Sequence, residues 1–181
     1  MEQIKVGEPT FVLLALESIK YILDKNIEQK QQKAEITELG IHLGDKVSNH
    51  LMNTQKLGQN STGLSQINTI FNFLTGDVWS FIFDRKAQIR KDNITYVLES
   101  TNLKIHSYLV CDKSPANDDK LDPALWFIEG IIKGVIACFN LSCDVSSSFK
   151  RGNGLENAPS PASSNFEIEY VYTFEITLID I

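Results

Sequence analysis

The run Ile70-Phe71-Asn72-Phe73-Leu74-Thr75-Gly76-Asp77-Val78-Trp79-Ser80-Phe81-Ile82-Phe83 constrains this chain more than any other stretch. Fitted to a helix, Ile70, Phe71, Leu74, Val78, Phe81 and Ile82 share an arc of roughly 120°, a core-facing stripe. Phe73, Trp79 and Phe83 lie outside that arc. A helix that is apolar on more than one side must be covered from two directions, so it belongs at the centre of a layered fold. Its one acid, Asp77, stands at the edge of the stripe and is expected to be paired with a neighbouring donor. No second carboxylate or histidine lies at helical spacing from it, which speaks against a general base.

Two helices are expected before this one. Glu8-Pro9-Thr10 opens the first, with Pro9 near its first turn. From Phe11 to Leu23 the apolar positions cover roughly 220°, where a single core needs little more than a 100° stripe. Either the helix is buried within its own domain, or it touches a second chain as well. Asn26 to Glu35 is polar and reads as an exposed helical continuation or a loop. In the second helix, about Ile36 to Leu51, the residues Ile36, Leu39, Gly40, Leu43, Gly44, Val47 and Leu51 share an arc of roughly 140°. Glycine weakens a helix, so Gly40 and Gly44 on the apolar side imply close backbone approach by another helix, within the domain or across a dimer. His50 reads as a structural residue, since His42 and His106 offer it no metal-ligand spacing.

The rest of the chain alternates in type. Asn53 to Ser65 is a surface connection. Arg85, Lys86, Arg90, Lys91, Asp92 and Asn93 read as a solvated helix end, with a binding patch as the alternative. Thr95 to Glu99 is strand-like, Thr101-Asn102 a turn, and Leu103 to Val110 alternates as the returning strand. Asp122-Pro123 caps and opens another helix. Its apolar residues spread over roughly 180° from Ala124 to Phe139. Glu129 and Lys133 are spaced as an i,i+4 pair on a narrow wet strip. Gly130 and Gly134, again four apart, imply a second close approach. Leu141, Cys143, Val145, Ser147 and Phe149 alternate as a third strand. Lys150 to Asn165 reads as a flexible loop, and its Arg-Gly-Asn-Gly piece lacks the ending of a phosphate loop. Phe166, Ile168, Tyr170, Tyr172, Phe174, Ile176 and Leu178 alternate with polar residues as a last, long strand. The expected architecture is a single α+β domain over 1–181: an antiparallel four-stranded sheet with helices packed on one face.

Several function classes are disfavoured. A net charge of −6 over 181 residues speaks against non-specific nucleic-acid binding and against a general anionic-membrane surface. The three cysteines, Cys111, Cys138 and Cys143, form no CxxC pair, so no zinc framework and no other metal or cofactor is expected. Cys138 and Cys143 read as buried thiols of a reducing compartment. The apolar run Phe11–Leu16, flanked by Glu8 and Glu17, makes a poor signal peptide. The Asn-x-Ser/Thr triplets at Asn60, Asn93 and Asn140 are therefore expected to be chance matches. No run is long and apolar enough to span a bilayer.

Four pieces, in this order, resemble the small α/β subunits of the transport protein particle (TRAPP) tethering complex, the subunit-6 type most closely. They are Leu39-Gly40-x-x-Leu43-Gly44, Phe73-Leu74-x-x-Asp77-Val78-Trp79, Arg90 and Asn93 before Tyr96-Val97-Leu98, and Gly130-Ile131-Ile132-Lys133-Gly134. The turn before Tyr96 is shorter than in that family, and Lys150–Asn165 is an insertion. Glu129-Gly130 stands where a Cys-Gly pair is usual. The acyl-carrying subunit of that family has a cysteine at its second helix. This chain has none between Met1 and Val110, so the resemblance implies no lipid adduct.

The resemblance implies a non-catalytic subunit of a complex that tethers vesicles between endoplasmic reticulum and Golgi, cytoplasmic and peripheral at those membranes. Such a subunit pairs through its first two helices with the acyl-carrying paralogue, and a Rab-family GTPase is activated by the assembly. Apolar surface beyond a monomer's need marks interfaces. The candidate partner-facing residues are Leu13, Leu14, Ile19, Ile22, Gly40, Leu43, Gly44, Val47 and Leu51. On this reading Gly44→Leu would block pairing and leave the fold intact. Two other readings stand beside it. One is a small-molecule or acyl-binding sensor of the four-vinyl-reductase-like fold. The other is an enzyme with Cys138 or Cys143 as nucleophile.

Overall fold

The computed structural model describes residues 8–55, 64–103, 122–152 and 169–179. Helices α1 (Glu8–Leu23) and α2 (Gln29–Gln55) come first. Helix α3 (Leu64–Asn72) runs through a π-helical turn (Phe73–Val78) into α4 (Trp79–Phe83). Strands β1 (Gln88–Asp92) and β2 (Thr95–Thr101), helix α5 (Asp122–Ala137), and strands β3 (Ser142–Gly152) and β4 (Glu169–Ile179) complete it. The four strands form one antiparallel sheet in the order β1-β2-β4-β3. The α+β architecture is the expected one.

Two helices cross at van der Waals limits, and the four glycines make this crossing. A methyl group built on Gly40 would lie 2.9 Å from the Gly130 Cα and overlap the Phe127 carbonyl oxygen. One on Gly44 would overlap the Ile131 carbonyl oxygen. From the other helix, one on Gly130 would overlap the Thr37 carbonyl oxygen, and one on Gly134 that of Ile41. Each added group meets backbone, which has no rotamer to escape into. The close approach that both Gly-x-x-x-Gly pairs implied is therefore one contact, between α2 and α5 of the same chain.

The central helix departs from a regular wheel. Phe73, Trp79 and Phe83 are buried, although they lie off the apolar arc, and Phe81, which lies on it, is 43% exposed. For the residues beyond Val78 the π turn is the cause. It holds one extra residue, which rotates everything after it by about 100°. That brings Trp79 and Phe83 onto the core side and swings Phe81 outward. The turn also frees the Thr75 carbonyl, which accepts the Ala87 N–H at 3.0 Å, while the Thr75 hydroxyl donates to the Phe71 carbonyl at 2.8 Å. Trp79 is fully buried against Phe83 and Phe174, with centroids 4.7 and 6.0 Å away. Its Nε1–H donates to Ser100 Oγ at 3.2 Å, tying helix to sheet.

The first hairpin lies earlier than the sequence pattern suggests. The helix stops at Asp84, whose φ is 57° and whose N–H bonds the Ser80 carbonyl. Of the basic stretch beyond it, Arg85 and Lys86 lie in the connection, and Arg90, Lys91 and Asp92 belong not to a helix end but to the edge strand β1. Its turn is Asn93-Ile94, with φ 56° at Asn93, and Arg90 pairs with Val97. Of its residues only Ile89 is partly buried. Charged edges are how sheets avoid further pairing, and here the charge hides the alternation. The expected strand Leu103–Val110 lies, beyond Leu103, outside the described residues, as does most of the Lys150–Asn165 loop. Asn102, at the expected turn, has φ 47°. It exchanges two hydrogen bonds with Tyr170, each 2.9 Å, and so joins β2 to β4.

Strand β4 alternates as expected: Tyr172, Phe174 and Ile176 are buried and Glu175 is exposed. The expected surface pair Glu129–Lys133 is replaced by another arrangement. Glu129 is buried, accepts from Ser147 Oγ of β3 at 2.5 Å, and lies 3.9 Å from Lys33 Nζ of α2. Lys33 in turn sits 5.7 Å from the Trp126 ring centroid.

The glycine crossing makes a quantitative prediction. Helix propensity alone would make Gly130→Ala stabilising by about 1 kcal/mol. Overpacking against backbone is expected instead to lower stability by about 1–3 kcal/mol, read by urea denaturation. Gly44→Leu is expected to unfold the chain itself, which corrects the expectation that it spares the fold. Gly76→Ala is the control: nothing lies within 4 Å of its added methyl, and it is expected to be neutral or stabilising by up to about 1 kcal/mol.

Candidate interaction surface

Helices α1 and α2 form a hairpin whose closing turn is tied by side chains. Gln32 Nε2–H donates to the Leu23 and Lys25 carbonyls at 3.2 and 3.4 Å. Lys25 Nζ lies 2.6 Å from Glu35 Oε2. That hydrogen bond holds the Glu35 carboxyl below the usual carboxylate range and the Lys25 ammonium above its own.

The nine candidate residues divide sharply. Ile19, Ile22, Val47 and Leu51 are buried in this chain's own core. Gly40 and Gly44 are covered by α5. Leu43 is half-buried against the same core. Only Leu13 and Leu14, at 48% and 66% exposure, are open to solvent. The glycine face of α2 is thus occupied within the chain, and the surplus apolar surface of α1 is its opposite side.

The structure adds two residues that the candidate set lacks. Tyr21 is 68% exposed. Seven residues after Leu14, it falls on the same helical face, so heptad spacing could have found it. Phe81 is exposed by the π turn and lies 6.0 Å, centroid to centroid, from the His50 ring of α2. No sequence signal marks that turn. Beside Tyr21 an open hollow of about 780 Å³ runs between α1 and α2, lined by Ile22, Ala34 and Leu39 and by Glu17, Glu35 and Glu38.

Other chemistry-bearing groups are used internally. Arg85 Nη1–H donates to the Thr101 carbonyl, Arg90 lies 3.4 Å from Glu99, and Lys91 sits 5.6 Å from the Tyr96 ring centroid. The basic stretch therefore serves largely to hold the β1–β2 hairpin. Asp77 is half-buried in the π turn and is not without a partner. Among the described residues, no group of three or more His, Cys, Asp or Glu could hold a metal, and no helix is long and apolar enough to cross a membrane.

The two described thiols are poor nucleophiles. Burial pushes Cys138 up to about 11, and Asp45, whose Oδ1 lies 3.4 Å from its Sγ, adds to the rise. Burial likewise pushes Cys143 up to about 11, outweighing the opposing pull of the Lys133 ammonium. A reactive cysteine needs the opposite environment, a cation or histidine that lowers its pKa.

A family model described as "Transport protein particle (TRAPP) component" matches residues 11–170. Among solved structures, similarity is found to the crystal structure of a trafficking protein particle complex subunit 3 from Naegleria fowleri covalently bound to palmitic acid. The TM-score is 0.57 over 96% of this chain and 98% of that one, at 11% identity, which speaks for the fold alone. No curated protein sequence matches.

With both thiols near 11, the thiolate fraction at pH 7 is about one in ten thousand. Alkylation of Cys138 and Cys143 in the folded protein, read site by site by mass spectrometry, is expected to be far slower than that of free cysteine at pH 7. It should climb about ten-fold per pH unit toward pH 11. Fast alkylation of either at neutral pH would contradict this.

Proposed function

This chain belongs to the TRAPP component family, and on that premise we propose that it is a non-catalytic subunit, of the subunit-6 type, that pairs with the acyl-carrying paralogue through the outer face of α1 and α2. Membership implies a subunit of a vesicle-tethering complex. The observation that carries the pairing reading is the uncovered apolar surface of α1. Leu13, Leu14 and Tyr21 stay exposed on a helix whose other side, Leu16, Ile19 and Ile22, is already buried. Large apolar groups left in water on one side of a helix mark an interaction surface.

The absence of a cysteine from Met1 to Val110 supports a division of roles: the partner carries the acyl chain and this subunit presents a helix face. Activation of a Rab-family GTPase would then be a property of the assembly, at endoplasmic reticulum and Golgi membranes. The weakly nucleophilic thiols and the lack of a metal-ligand cluster among the described residues give an enzyme reading no support. Nothing in the matches favours the sensor reading.

Affinity purification from the source cells tests this, with near-equal recovery of other TRAPP small subunits as the expected result. Leu13→Asp with Leu14→Asp is expected to reduce that recovery at least about ten-fold, since charge in the centre of an apolar contact is costly. The melting temperature of the isolated chain should hardly change, because both side chains are exposed. Full recovery with the double variant would place the interface elsewhere.

A further inference from the structure

Resting on the pairing reading and deepening it, we propose that the hollow between α1 and α2 receives the side chain of a lysine or arginine from the partner subunit. The floor of the hollow is apolar, made by Ile22 and Leu39 with the ring of Tyr21 at one side. Its lining also carries three carboxylates, Glu17 from α1 and Glu35 and Glu38 from α2, against one ammonium, Lys25, and one imidazole, His42. A purely apolar occupant would strip water from these acids without replacing it, and an acidic one would be repelled. A long cationic side chain meets both demands, with its stem on the floor and its head at the edge.

The hollow already holds one such group. Lys25 Nζ sits 5.1 Å from the Tyr21 ring centroid and 2.6 Å from Glu35 Oε2. A cation is therefore accepted there by an aromatic face and a carboxylate together. Away from Lys25 the lining offers two further carboxylates, Glu17 from α1 and Glu38 from α2. Their present contacts are exposed short-range pairs along their own helices, Glu17 with Lys20 at 2.9 Å and Glu38 with His42 at 3.3 Å. Pairs of this kind are weak and readily exchanged. The hollow is continuous, through Tyr21, with the face that presents Leu14, so one partner helix can cover both.

The test uses full chains and, as the probe, the paralogous subunit recovered with this protein, produced pure. Binding is measured by calorimetry from about 0.05 to about 0.5 M salt, a range over which exposed charge interactions are progressively screened. The wild-type affinity is expected to fall as salt rises. Glu17→Lys with Glu38→Lys is expected to weaken binding on the order of ten-fold at low salt and to flatten the salt dependence. Should that variant fold poorly, Glu17→Gln with Glu38→Gln should show a smaller loss in the same direction. Leu14→Asp serves as the reference for pairing itself. Unchanged affinity and salt slope in the charge variants, with Leu14→Asp abolishing binding, would overturn the cation socket and leave the pairing reading standing. Unchanged binding in all of them would overturn both.

Discussion

The approach of α2 to α5 is the constraint on which the rest of this structure depends. Where Gly40 and Gly130 face each other, a helix presents bare backbone to bare backbone. Little in a soluble protein packs closer, and the contact gains dispersion energy from main-chain atoms that side chains would otherwise hold apart. It fixes α5 against α2, and α5 in turn packs on β3, with Ile128, Ile132 and Val135 fully buried in the core. Glu129 reinforces the arrangement, since it can reach both Ser147 and Lys33 only if strand, helix and helix meet at one place. Buried carboxylates are tolerated when such partners exist.

The fold class was legible because its strongest signals are periodic. The alternation from Tyr170 to Leu178 and the apolar breadth of α5 each point to one type of element, and the structure contains both. The glycine spacing carried more information than its reading extracted. Two Gly-x-x-x-Gly pairs in one chain can satisfy each other, yet read one at a time each left its partner open, within the domain or across a dimer. The π turn and β1 were illegible for different reasons. A π turn has no composition of its own, and Phe81 could not be seen to leave the core. In β1 the residues that protect a sheet edge, Arg90 and Lys91, are also those that close a helix.

For the interaction surface, burial sorted what sequence could only group. An apolar arc says how much surface needs covering but not which neighbour covers it. Ile19 and Ile22 are claimed by the core, Leu13 and Leu14 are not, and only three-dimensional packing makes that division. Tyr21 shows the limit of ranking by hydrophobicity. Its ring is as apolar as a leucine, yet its hydroxyl lets it stand in water, and it borders the charged hollow between α1 and α2. An amphipathic ring of that kind suits a surface that is wet before assembly and dry after it.

The π turn carries a further consequence, for how the length of this chain can vary. It is a phase slip written into the sequence: the apolar residues before Phe73 and after Val78 obey two wheels offset by one position. Deleting a single residue inside the turn would leave an unbroken α-helix, yet it would turn Trp79 from Ser100, bring Phe81 inward and withdraw the Thr75 carbonyl from Ala87. Regularity would be gained and the fold lost. The segment from Phe71 to Ala87 is thus counted to the residue, so variation in length has to fall outside it.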